Sequence, residues 1–216
     1  MPAKPKRPSR PQPPAGIGDW IDDKPFWYAP AADMPDWVMA TFLMEDAPLY
    51  NEDHKHLLEA HVAFLWAGEP NARRGRQVLG QCEEVTFRCG AWQKGRQQQQ
   101  MTEWFGTVPA YLITLDAEYA RECSDLEFCA LVEHELLHIA HAVDQFGQPR
   151  FNKDTGQPVL TLRDHDVSEF VSIVRRYGAG RPDGAVAQMV AAAGKAPEVS
   201  GVNIARACGT CMMRAA

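Results

Sequence analysis

Long apolar runs are missing from this chain. Nowhere do the roughly 18 to 20 uninterrupted apolar residues of a membrane-spanning helix occur, and the N-terminal segment has no apolar stretch of the secretory type. No Asn-x-Ser/Thr acceptor is present, and no internal repeat is visible. Positive charge is in deficit: Lys and Arg number 22 against 28 for Asp and Glu, a formal charge of −6. A wholly basic nucleic-acid-coating protein is thereby excluded. The six cysteines (Cys82, Cys89, Cys123, Cys129, Cys208 and Cys211) are too few for a disulfide framework in a chain of 216 residues, so free thiols in a reducing, cytoplasmic setting are expected.

What is present suits one globular domain with an appended arm and tail: 45% of residues are hydrophobic and 23% charged, ample for a core. The charge is unevenly spread. Residues 1–16 hold Lys4, Lys6, Arg7 and Arg10 and no acid, so this segment is +4 and the other 200 residues carry −10 to reach the total of −6. Six prolines also fall in this stretch, which reads as a disordered basic arm with nothing apolar to bury. Residues 17–48, with Trp20, Phe26, Trp27, Tyr28 and Trp37 among Pro and Asp, read as an irregular segment packing on the body. Residues 49–194 read as the functional domain, and 195–216 as a tail bearing Cys208-Gly-Thr-Cys211.

Within the domain, Leu57, Leu58, Ala60, His61, Phe64 and Leu65 recur at three- and four-residue spacing and predict an amphipathic helix over 51–67. His54 and His56 read as solvated residues at its start. Strands are predicted over 84–89, 110–115 and 159–162, and Gln97 to Gln100 reads as a polar loop. Ser124 and Glu127 form a capping box that opens a helix through Leu126, Cys129, Val132, Leu136 and Ile139 to about Phe146. Asp166 and Glu169 form a second one, opening a helix through Phe170 and Ile173, and a last small helix spans 185–193.

The chemistry lies in the helix opened by Ser124. His134-Glu135-Leu136-Leu137-His138 is a His-Glu-x-x-His motif; residues four apart are separated by about 40° and about one turn, so both imidazoles leave one face and can chelate a single Zn²⁺. Glu135 serves as general base, taking a proton from the zinc-activated water and passing it to the leaving amine. Catalytic zinc needs a third protein ligand. His165, between a strand and a helix cap, is the choice, because Asp166 and Glu169 already have a role in capping and His141 lies too far along the helix. Asp166, Glu169 and His141 remain as alternative ligands or as groups orienting one.

Leu131-Val-Glu-His134-Glu135-Leu-Leu-His138, followed by a Gly-x-Pro turn, His165-Asp-Val-Ser-Glu169-Phe170 and Arg175-Arg-Tyr-Gly178, resembles the Putative phage metallopeptidase family. More distantly it is similar to SprT-like zinc metalloproteases. The resemblance implies a minimal zincin-like α+β fold, mostly helical, with a small sheet beside the active-site helix. It also implies a zinc peptidase of a bacterial or phage-infected cell acting on a protein or peptide. His134, His138 and His165 would be the zinc ligands and Glu135 the catalytic glutamate.

Two rival classes are set against this one. A catalytically silent zinc-binding interaction protein would have no need of Glu135. A SprT-like nucleic-acid-associated protease could contact phosphate only through the basic arm, since the acidic remainder repels a duplex. No membrane partner is expected, and the sequence leaves the oligomeric state open.

Overall fold

The computed structural model describes residues 8–73, 76–167, 171, 174–175, 178–199 and 213–214. The chain divides into two compact units, one of residues 1–162 with 203–216 and one of residues 163–202. In chain order the first unit holds β1 (Trp20–Ile21), β2 (Lys24–Pro25), β3 (Tyr28–Pro30), α1 (Met34–Val38), a π turn (Met39–Leu43), a 3-10 turn (Glu52–Leu57) and β4 (Val62–Ala67). There follow β5 (Ala72–Arg73), β6 (Arg76–Gln77), β7 (Gly80–Glu84), α2 (Ala91–Phe105), β8 (Tyr111–Asp116), α3 (Ala117–Glu122), α4 (Asp125–Leu137), β9 (Ile139–His141) and β10 (Leu160–Leu162). The mixture is that of a small α+β domain.

The principal sheet runs β3-β4-β8-β7. Its central strands β4 and β8 are parallel, with Phe64 opposite Ile113 and Trp66 opposite Leu115, while β3 and β7 join antiparallel at the two edges. Side chains alternate between faces along a strand, and here the two faces carry different loads. Phe64, Trp66, Tyr111, Ile113 and Leu115 enter the main core with Met34, Trp37 and Phe42 and with Phe128, Leu131, Val132 and Leu136 of α4. Phe128 is the junction: its ring centroid lies 5.4 Å from Trp37 and 6.0 Å from Trp66. On the reverse face Ala63, Leu65 and Leu112 meet Met101, Trp104 and Phe105 from the end of α2.

Several expectations are corrected by this arrangement. The three- and four-residue spacing over 51–67 breaks into a 3-10 turn and a strand, because Val62 to Ala67 is a continuous apolar run with both faces covered, the signature of a central strand. The strand expected over 84–89 lies earlier, at 80–84. Gln97 to Gln100 belong to the 15-residue α2, whose first ten residues are exposed and whose end alone is packed. The aromatic segment is regular rather than irregular. Asp22 and Asp23 both take positive φ, 49° and 58°, in the two-residue turn of the β1–β2 hairpin, β3 is a strand of the main sheet, and Trp37 on α1 is core.

The arm is corrected as well. From Pro8 onward it is a strap on the body: the Arg10 guanidinium pairs with Asp125 at 3.1 Å and sits over the Phe128 ring, 5.3 Å from its centroid. The Trp37 indole N–H donates to the Pro8 carbonyl at 3.3 Å, and Pro13 is buried. Residues 1–7 lie outside the described residues, as do Cys208 and Cys211. Among the described residues, Cys82, Cys89, Cys123 and Cys129 are thiols outside any disulfide.

The second unit contains α5 (Ala185–Ala193), the helix expected at that place, and local ion pairs such as Arg181 with Asp183 at 2.8 Å. No described helix is long and apolar enough to cross a membrane.

Candidate metal centre

The helix that carries the motif is set by its first turn. Ser124 Oγ accepts from the Glu127 N–H at 3.3 Å, and the Glu127 carboxylate accepts from the Ser124 N–H at 3.0 Å, a complete capping box. Phe128, Leu131, Val132 and Leu136 then bury one side of α4 in the core. The helix does not continue to Phe146. It ends at Leu137 with His138 as its cap, and the chain turns directly into β9, which pairs with β10 so that Leu162 lies opposite Ile139 and Leu160 opposite His141. No local stop signal marks that point, which is why the sequence read past it; the end is imposed by strand pairing from twenty residues further on.

His134 and His138, one turn apart, bring their Nε2 atoms to 3.2 Å from each other, with ring planes at 81°. Two ligands on one tetrahedral zinc, each bonded at about 2.0–2.1 Å, stand about 3.3 Å apart. The nitrogen pair therefore converges at the separation a shared zinc requires.

Glu135 leaves α4 on the side of the sheet. Its side chain is fully buried, and neither carboxylate oxygen meets a hydrogen-bonding partner at full geometry among the described residues. The edge strand β7 covers it so closely that a Cβ on Gly80 would stand 2.8 Å from Glu135 Oε1. Burial pushes the carboxyl up to about 7, only partly countered by the Cys82 backbone N–H. A carboxyl in such a place costs folding free energy that the Cys82 backbone N–H returns only in part, and perturbed groups of this kind cluster at functional sites.

Around this core the flanking residues are fixed by contacts that sequence reasoning missed. His54 is wholly buried, with Nε2 3.7 Å from Glu133 Oε1, and Asn51 donates to the same oxygen at 2.9 Å. Burial alone would raise the Glu133 carboxyl, but the His54 and Asn51 contacts outweigh it and hold it below the ordinary range. His56 donates from Nε2 to the Ile139 carbonyl at 2.6 Å, one residue beyond His138, and burial lowers its imidazole. The expectation that both histidines are solvated fails because the segment turns inward under α4 and β9. Their only sequence signal was an unexplained pair of imidazoles two residues apart.

Of the alternative ligands, His141 lies in β9 instead of on the helix and donates from Nε2 to the Arg150 carbonyl at 2.7 Å, its ring edge-on to Phe151. Asp166 pairs with Arg163 at 3.6 Å. Glu169 lies outside the described residues, together with Phe170 and the second capping box. His165 belongs to the second unit, where its backbone N–H donates to Asp164 Oδ1 at 2.8 Å and its Nδ1 stands 3.3 Å from the same oxygen.

An α+β sheet with a His-Glu-x-x-His helix packed under an antiparallel edge strand is the frame in which a metal-dependent hydrolase can be built. The chain belongs to the family described as "Putative phage metallopeptidase", whose profile matches residues 35–194. That description carries a metal and a peptidase activity. No curated protein and no solved structure matches the chain, so the likeness to SprT-like proteases rests on the motif alone.

Proposed function

We propose that this chain is a zinc-dependent peptidase in which His134, His138 and His165 hold the metal and Glu135 is the general base. The observation that carries the reading is the convergence of the two Nε2 atoms at 3.2 Å on the helix that also carries a wholly buried carboxyl, whose burial the Cys82 backbone N–H offsets only in part. When bound, zinc supplies Lewis acidity: it makes water nucleophilic at neutral pH and polarises the scissile carbonyl. Glu135 takes the proton from the attacking water and hands it to the leaving amine, and its enclosure by β7 keeps that carboxyl out of bulk solvent.

Support for His165 comes from connectivity. Because Leu162 pairs with Ile139, β10 ends beside the residue that follows His138. His165 follows β10 by three residues, a tether of at most about 10 Å. Asp164, already bonded to the His165 backbone and close to Nδ1, is placed to orient the ring through that nitrogen.

The test combines metal analysis with a peptide-library digest. Native protein should hold about one zinc per chain, lost in His134→Ala and His138→Ala. Glu135→Gln should keep zinc and lose at least about a hundredfold in hydrolysis. An active Glu135→Gln variant, or zinc retained in both histidine variants, overturns the reading.

A further inference from the structure

The reverse face of the main sheet holds a cleft of about 530 Å³. Its floor is the same sheet whose other face packs on α4; Leu65 and Leu112 supply the apolar base, Met101 and Trp104 the wall from α2, and Glu69 and Glu83 the opposite rim. We propose that this cleft is a specificity site for a lysine or arginine side chain of the polypeptide substrate, an inference that rests on the peptidase reading above.

Three observations carry it. Among the described residues, the charged ones lining the cleft are Glu69, Glu83 and Asp116, all acidic, and no Lys, Arg or His forms a salt bridge with any of them. Asp116 is already committed, accepting from the Tyr119 N–H and from Gln77 at 2.8 Å each. Glu69 is held in place by the Tyr28 hydroxyl, which donates to it at 2.9 Å, and Glu83 has only a long contact from Gln81 at 3.5 Å. The walls desolvate Glu83 enough to raise its carboxyl above the ordinary range, a cost that a cation entering the cleft would reverse.

The lining also fits the stem of such a side chain. Lys and Arg bury their methylene chains on apolar surface and keep the charged head at a polar rim, and the lining holds both kinds of surface, Leu65, Leu112 and Met101 beside Glu69 and Glu83. Trp104 also lines the cleft, and the face of an indole ring attracts a cation. An acidic side chain would be repelled by the two rim carboxylates, and a neutral one would gain nothing from them.

The third observation ties the cleft to the chemistry. Strand β7 forms a wall of both places: Gly80 abuts the Glu135 carboxylate, while Gln81 and Glu83, on the alternate side of the same strand, line the cleft. Strand β7 is an edge strand, and a polypeptide laid along it would alternate its side chains between the face that holds Glu135 and the face that holds the acidic cleft. Specificity for a basic residue next in register to the one on the Glu135 face follows from that alternation.

The test uses the full chain carrying Glu135→Gln, so that binding is read without turnover, titrated calorimetrically with acetyl-Ala-Ala-Lys-Ala-Ala-amide and with the same peptide bearing norleucine or Glu for Lys. The Lys peptide should bind at least about tenfold tighter than the norleucine peptide, and Glu83→Gln with Glu69→Gln should remove that margin while leaving zinc content and the thermal midpoint in place. Equal binding of Lys and norleucine peptides, or a Lys preference that survives both substitutions, overturns the proposal. A second arm separates it from the peptidase reading. A Lys peptide that binds through the rim but is never cut by the native chain refutes the peptidase and leaves the cleft; cutting with no charge preference refutes the cleft and leaves the peptidase.

Discussion

Gly80 and Glu135 are coupled at the scale of single residues. Any side chain at position 80 enters the space of the Glu135 carboxylate, because the first carbon would already stand 2.8 Å from Oε1. Gly80→Ala should therefore leave a folded chain with its full zinc content and cut hydrolysis by about tenfold or more through displacement of the base. Metal analysis and a kinetic assay on the same preparation check this, and normal kcat/KM in the variant would show that the carboxylate does not act from its observed position. Cys82, on the same strand, offers a second measurement. Burial, with the Glu135 and Glu83 charges adding to it, pushes its thiol up to about 12, so the thiolate is scarce at pH 8. Its alkylation by iodoacetamide in the native chain should be at least about a hundredfold slower than in the unfolded chain, read by mass spectrometry.

For α4 as an element, two anchors set the position of the motif. Ser124→Ala removes the N-cap and should cost about 1 kcal/mol. Glu133→Gln weakens the contact with buried His54 and should cost about 1–3 kcal/mol, as removing the charged partner of a buried polar group does. The Glu133 carboxyl is held below its ordinary value, so its contribution is present above the unfolded carboxylate pKa and is lost as pH falls through the lower folded value. Thermal unfolding followed from pH 7 down to pH 3 should show the native chain losing its margin over Glu133→Gln in the acid range. Parallel curves throughout would show that the His54–Glu133 contact is not ionic.

On the scale of the whole molecule, the N-terminal segment from Pro8 onward acts as a strap on the body. Arg10 spans Asp125 and the Phe128 ring, and its guanidinium also reaches Cys123 Sγ at 3.1 Å, so one of the four basic residues of the arm is consumed internally. Deletion of residues 1–16 should lower the thermal midpoint by several degrees, since each kcal/mol lost shifts a domain of this size by about 2–4 °C. Deletion of residues 1–7 preserves every described contact of the strap and should lower it less. Equal midpoints for the two truncations would show that the contacts of Pro8, Arg10 and Pro13 do not contribute to stability.

What the sequence determined by itself was local. The capping box at Ser124 and Glu127, the one-turn spacing of His134 and His138, the strand at 111–116 and the helix at 185–193 depend on residues a few positions apart, and short-range propensity and period suffice to read them. Tertiary structure decided the rest. The apolar run at 62–67 became a strand because neighbours cover both its faces; α4 stopped at His138 because β10 recruits the next three residues; His54 and His56 turned inward beneath that junction. Glu135 came to lie against Gly80 because β7 happens to be the strand that closes the sheet above the helix. Each of these depends on partners far away in the chain, and their burial and pairing energies outweigh the few tenths of a kcal/mol per residue by which local preference speaks.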